Sequence, residues 1–551
     1  MNRRLRLSAE PRLLAAVVIV VIAAAVIWAQ VTRPAAVKAT TPQPGLMPVT
    51  NQTLVCPQAG GTPSRGAARI AYADAGTDPA SSSTLTTAPL DPDSVATDVP
   101  IQPGHAWHID GPKTLSPMRI TMTGPIATTS SAVQFTRQSV GSSLQVSAAP
   151  CEAPTTEAWF AGFSSGVGTH ATLLLSNVDA VEATVDIGIY GDAAPPDPQA
   201  QHGLVVPPNS QKAVRLDTLA PGFANGVVHV TATSGRIVAA VRYDAENGSI
   251  PLGVEWIPRT DGPALTQTVP GIVGGDGARR LILSTPGDID ATVSLNIVTA
   301  DGSFTPTGFD AVDVPAGQVV SVDLADQLQK EAGAVVVTST EPVVAGAISS
   351  LPPDKAGGAD VGFTAAVPAL STPTVVAGGE TGSDRHTSLL LTAPGADANL
   401  TLTVLPDTKT SSPLVSPMTI PGGTTMALDL GSLSKDPAPA VEITPEAGGP
   451  LYAGWALQEN IGATADLTSF PLRSPVTTLE RPPVRTDLRA GLPEVAHTPA
   501  PPASPSAPAS SPESDEPSEP ASSSDLFSPD DSLPAEAPDQ SSPASSSQPS
   551  P

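Results

Sequence analysis

His105 and His108 flank Trp107 and form the only close histidine pair in a chain of 551 residues. Such a pair holds a metal when both imidazoles face the same way. On a strand, positions i and i+3 point to opposite faces, so these two do not converge without a bulge. His170, His202, His229, His386 and His497 each stand alone, without the partners that metal or nucleophile chemistry needs. Gly271, Gly274, Gly275 and Gly277 invite a phosphate-loop reading, but no Lys-Ser/Thr follows and no helix opens there. They read as a turn, and no cofactor or metal is implied. Trp159-Phe160 is the conspicuous aromatic pair where Phe, Trp and Tyr make up 3% of the chain. It reads either as an exposed ligand platform for sugar stacking or, preferentially, as packing where two units meet. No acid–base or nucleophile set emerges, so the chain does not read as an enzyme.

Cys56 and Cys151 are the two cysteines. In a chain that looks exported they read as one disulfide, the alternative being two free buried thiols. The bond closes a loop of 95 residues, for which chain-entropy arguments give roughly 4–5 kcal/mol. It would close the first of several repeated units on itself.

The elements that position these residues repeat. Leu173-Leu174-Leu175-Ser176 returns as Leu281-Ile282-Leu283-Ser284 and again as Leu389-Leu390-Leu391-Thr392, 108 residues apart each time. A strand-and-turn period this long means tandem domains, since solenoid units run to roughly 20–50 residues. In the first full copy Ala183 to Ile189 alternates as a half-buried strand should. Four units are expected, over residues 54–162, 163–270, 271–378 and 379–474, the first divergent. The fold class is all-β: tandem immunoglobulin-like β-sandwiches, with short strands, many turns and almost no helical periodicity. A β-propeller with two blades per unit is the rival, disfavoured because blade repeats are near half this length. Asp110, Asp217, Asp323 and Asp429 recur at intervals of 107, 106 and 106. A residue present in every unit serves the shared fold, so these read as strand-end acceptors for backbone amides.

Arg3, Arg4, Arg6 and Arg12 precede a charge-free run, residues 13–32, with Trp28 near its end. Twenty residues span a bilayer, and the arginines keep residues 1–12 in the cytoplasm. This reads as an uncleaved single-pass transmembrane helix, with a signal peptide as the rival. Residues 33–53 read as a linker. From 475 to 551 Pro, Ser and Ala come to dominate, which reads as a disordered acidic tail; Leu526-Phe527 within it reads as a chance apolar pair. A net charge of −26, with 27 basic against 53 acidic residues, argues against a nucleic-acid partner.

Cys151, Trp159-Phe160-Ala161-Gly162, Leu173 to Asn177, Pro207 and Val238-Ala239-Ala240 together resemble a family of large exported, membrane-anchored actinobacterial proteins. That family is catalogued only as a domain of unknown function, and the resemblance spans most of Leu54 to Leu472. It implies a membrane-anchored extracellular location and carries no activity or site. The triple-leucine repeat also resembles sandwich modules of bacterial surface proteins. The expected function is a structural or binding protein of the cell envelope, a scaffold or stalk. Its partners would be the membrane through residues 13–32 and envelope proteins; the alternative is a binder of cell-wall polysaccharide or peptidoglycan.

Overall fold

The computed structural model describes residues 11–31, 45–58, 66–76, 82–110, 116–140, 143–192, 201–355, 357–407, 411–461 and 464–481. Residues 482–551, with His497 and Leu526-Phe527, lie outside the described residues. Antiparallel sheets dominate the fold.

The strand Ala183–Gly191 shows the rule by which the sheets form. Every second residue is buried, from Ala183 through Val185, Ile187 and Ile189 to Gly191, the period of a pleated strand with one face inward. Its unit has eight main strands: Glu157–Phe163, Thr169–Asn177, Ala183–Gly191, Gln201–Val206, Ser210–Arg215, Gly226–Ser234, Val238–Asn247 and Ile250–Ile257. They pair as two sheets, in the order 4-3-6-1 and 5-2-7-8. The same order recurs in all four copies, including the first, whose sequence has diverged. In the third unit strands six and seven are one continuous strand, Gly333–Ser350, which serves both sheets.

This order corrects the immunoglobulin reading. Immunoglobulin sandwiches keep their first two strands in one sheet, whereas here strand one and strand two lie in opposite sheets. The unit boundaries shift as well. The strands Glu157–Phe163, Ala264–Ile272 and Thr374–Val376 pair with strand six of the unit that follows them. Boundaries at 162/163, 270/271 and 378/379 therefore fall one strand late, and the first unit opens at Asn51. In sequence each opening strand looks like the end of the preceding run.

The units form a ring. Leu173 and Leu175 fill their own sandwich, while Leu174, on the opposite face of the strand, is only 5% exposed. Leu174 packs with Ala149 of the first unit. Ile282 joins the core of the second unit, Leu390 packs on Val273 of the third, and Ala71, at the same register in the first unit, joins the core of the fourth. A triple apolar run thus marks a strand buried on both faces. Leu174, Ile282 and Leu390 each add roughly 1.5–3 kcal/mol of burial that an isolated sandwich would lack. Because the fourth unit packs on the first, the four units make one compact body. At the hub the eighth strands meet: Ser143–Pro150, Ile250–Ile257, Val361–Ala365 and Thr464–Pro471.

The helix Pro11–Val31 covers most of the expected span. Its described side chains, positions 16–25, 27 and 28, are all exposed, and among the described residues no helix is long and apolar enough to cross a membrane. Gly45–Pro48 pairs antiparallel with Thr478–Arg481. The linker reading of 33–53 and the tail reading from 475 therefore both give way, in part, to a two-stranded ribbon that joins the two ends of the ring.

Candidate functional site

Three of the four junctions between units are filled in the same way. Strand one of each unit crosses strand seven of the next, so that Ala161 meets Gly346, Gly271 meets Gly454 and Gly378 meets Phe135. Glycine is required at this crossing: a Cβ on Gly271, whose φ is +77°, would stand 2.9 Å from the Gly454 Cα. The fourth junction differs. Strand one of the first unit, Asn51–Cys56, is held by the chain that follows its own unit. The Val55 amide donates to the Glu152 carbonyl at 2.8 Å and the Glu152 amide to the Val55 carbonyl at 3.0 Å. Cys56 is disulfide-bonded to Cys151, the pairing expected from the two cysteines.

The space left at this junction is a cavity of about 580 Å³ where the first, second and fourth units meet. That size lies within the range of small-molecule sites. Val133, Ala149, Phe160, Ala240, Trp256 and Val376 are among its mostly apolar lining. Trp256 is 4% exposed, and its indole Nε1–H is buried without a hydrogen-bond partner, as is the Ser130 hydroxyl in the same lining. Leaving a buried donor unpaired costs about 1–3 kcal/mol. Arg259 faces Glu152 at 3.5 Å and Arg473 faces Asp261 at 2.5 Å; burial, with Arg259 nearby, lowers the pKa of the Arg473 guanidinium. The basic groups of the lining thus already have acidic neighbours.

The residues singled out by type lie elsewhere. Trp159 is 5% exposed and does not stand as an open platform. Its ring stacks on His229 with centroids 3.7 Å apart and on Tyr190 at 5.9 Å, and its Nε1–H donates to Glu157 Oε1 at 3.0 Å. Burial lowers the His229 pKa, against the pull of Glu157. This stack lines a separate cleft of about 310 Å³ shared with Asp288 and Glu341 of the third unit. Phe160, pointing to the other side of the strand, lines the large cavity instead. His105 Nδ1 contacts the Pro103 carbonyl at 2.8 Å, and His108 is exposed, so the pair does not converge. The glycine loop presents carbonyls rather than amides. Those of Val273, Gly274, Gly275 and Asp276 accept from the guanidinium of Arg279, which is 2% exposed. The loop wraps the chain's own arginine where a phosphate would have sat. Asp323 and Asp429 accept from the amides of Ala325 and Gly431 at 2.9 Å each, as their recurrence suggested. Asp217 instead takes Arg215 and His170, and Asp110 lies 3.6 Å from Arg69.

A row of buried carboxyls at the hub escaped the sequence reading. Glu255 and Asp360 are both 0% exposed, and burial raises both well above the usual carboxylate range. Glu255 accepts from the Trp256 amide at 2.7 Å and Asp360 from the Leu467 amide at 2.9 Å. Asp466 is pushed up to about 7, by burial first and then by repulsion from Glu459. Glu459 is held in turn by Arg137 of the first unit, which also donates to Glu380 at 2.7 Å. The repeat supplied the signal: Ala359-Asp360-Val361 and Ala465-Asp466-Leu467 place a carboxyl at the start of a closing strand. These groups are enclosed by the four sheets and line neither cavity. Among the described residues no group of three or more His, Cys, Asp or Glu could hold a metal.

No curated protein and no solved structure matches this chain. A family model does match over residues 110–431, which takes in the second and third units whole, most of the fourth and the end of the first. That stretch is more than half of the 551 residues. The chain belongs to the family of unknown function DUF5719.

Proposed function

We propose that this chain is a non-catalytic binding protein of a bacterial cell envelope. The charge-free run of residues 13–32 would anchor it in the membrane, and the ring would lie outside, engaging its ligand at the open junction. The observation that carries the reading is the cavity of about 580 Å³ at the one junction where strand one turns away. A ring selected only for rigidity would gain from filling it as the other three are filled. The anchor rests on the charge-free run of residues 13–32 after four arginines. Scaffolding of envelope proteins is compatible with the ring.

The test uses the full chain reconstituted in lipid nanodiscs. It is offered isolated cell-wall sacculi, solubilised envelope proteins and a lipid extract of the same cells. Retention of one class, lost when the cavity is filled by Ala240→Phe, supports the reading; retention of none refutes it. Flotation with membranes and protease access to the ring on one side only test the anchor separately. Capture of sacculi that persists in Ala240→Phe and fails in Tyr190→Ala would favour the glycan alternative, at the cleft lined by Tyr190, His229, Asp288 and Glu341.

A further inference from the structure

We infer that the cavity at the open junction takes a single long-chain lipid bearing a hydrogen-bond acceptor oxygen. The inference deepens the binding reading above and rests on it for the premise that the cavity is a ligand site. Three features select this chemistry.

The first is the wall. Apolar groups, among them Val133, Ala149, Ala240, Val376 and Phe470, make up the larger part of the lining, and Gln52, Thr53, Ser131 and Thr374 interrupt them. A glycan needs donors and acceptors on all sides, and the apolar majority of this lining would leave part of its hydroxyls unpaired. An alkyl or prenyl chain removes apolar area from water on both sides.

The second is the pair of unpartnered donors in that wall, Trp256 Nε1–H and the Ser130 hydroxyl. They call for an acceptor oxygen and give an otherwise greasy ligand a fixed polar end. The arginines of the lining already have acidic neighbours, Glu152 for Arg259 and Asp261 for Arg473. A compact, highly charged anion would have to compete for them, whereas a carboxyl, ester or hydroxyl head would not.

The third is continuity with exposed apolar surface. Val476 and Leu479 belong to the lining and are each 60% exposed. On the strand paired with Thr478–Arg481, Leu46 is 74% and Met47 50% exposed. Water-exposed aliphatic groups leading into an apolar cavity provide a path for a chain that never has to cross bulk water. The proposed anchor helix ends at Val31, 13 residues before this ribbon begins at Gly45, so the linker reaches at most about 45 Å. The ribbon therefore stays close to the surface from which a lipid would come.

The test is photolabelling of the full chain in nanodiscs with a diazirine-bearing fatty acid, with the labelled peptides identified by mass spectrometry. Label is expected on Val238–Ile257 and Ser130–Val133, and on the anchor helix if that helix lies in the bilayer. Two filling substitutions in different units, Ala240→Phe in the second and Thr53→Trp in the first, should each cut the cavity label at least about tenfold and leave the helix label unchanged. Trp256→Phe keeps the apolar ring and removes the donor, and should weaken labelling by up to about tenfold. Thermal melts of each variant show that the ring is folded, and either filling variant suffices if the other fails to fold. Label confined to the helix, or cavity label that survives filling, overturns the inference while leaving the anchor standing. Absence of label at both sites overturns the inference and the membrane placement together.

Discussion

Asp466→Asn should make the protein more stable, and only at neutral to alkaline pH. The Asp466 carboxyl is 3% exposed and titrates near 7, against an ordinary 3.8, because burial and the charge of Glu459 oppose its ionisation. The folded state therefore holds a proton that the unfolded chain has released. From about pH 4 to pH 7 the folded form binds more protons, so stability falls as pH rises. The penalty is complete above about 7 and absent below about 4. At 1.36 kcal/mol per pH unit, a rise of roughly three units is worth ~4 kcal/mol. Residual solvent screening at this site lowers the expected figure to ~2 kcal/mol. Asn keeps the shape and stays neutral, so the variant should gain ~2 kcal/mol at pH 8 and nothing at pH 4. For a ring of this size that is an upward shift of about 2 °C in Tm, read by calorimetry at pH 4, 6 and 8 with the disulfide intact. Equal destabilisation at both extremes would refute the reasoning, because it would mean that Asp466 is ionised and paired in the fold.

Arg137→Ala should cost about 1.5–3 kcal/mol, since the buried Glu459 loses its hydrogen bonds to the first unit and keeps only Arg385 at 3.4 Å; a melt depressed by less than about 1 °C would argue that the ring closes without it. Cys151→Ser removes a link across 95 residues and should cost roughly 4–5 kcal/mol, and dithiothreitol should lower the wild-type Tm to that of the variant while leaving the variant unmoved. Gly271→Ala forces a Cβ against the Gly454 Cα, so proteolysis under native conditions should begin to cut between the third and fourth units; unchanged fragments would show that the crossing yields.

The sheets could be read from period-two alternation, because Ala183 to Gly191 needs only one buried face to show itself. The ring could not, although its mark was in view. Leu174, Ile282 and Leu390 broke the alternation that a half-buried strand keeps, and the chain does not say which neighbour covers a second face. Ala71 hides the same position in the first unit behind a smaller side chain. The glycine loop was recognised as a turn, but its purpose depended on Arg279, four residues beyond Gly275 and inconspicuous in sequence. Strand one misled because Trp159-Phe160 looks like the end of a domain, and pairing with Val228 and His229 is a tertiary fact. The cavity had no signature at all. It exists because a strand that begins Asn51-Gln52-Thr53 bends toward Glu152, and an absent contact leaves no residue to notice.

The ribbon of Gly45–Pro48 and Thr478–Arg481 has a mechanical meaning. Gly45 pairs with Arg481 and Pro48 with Thr478, so the segments entering and leaving the ring attach at the same end of a short antiparallel ladder. Tension between them peels the rungs one after another instead of shearing them together, and each rung yields alone at low force. Val476 and Leu479, which line the cavity, lie in or just before the strand that would be pulled away. A modest pull would therefore widen the pocket long before the hub carried any load, so mechanical tension and occupancy act on the same four residue pairs.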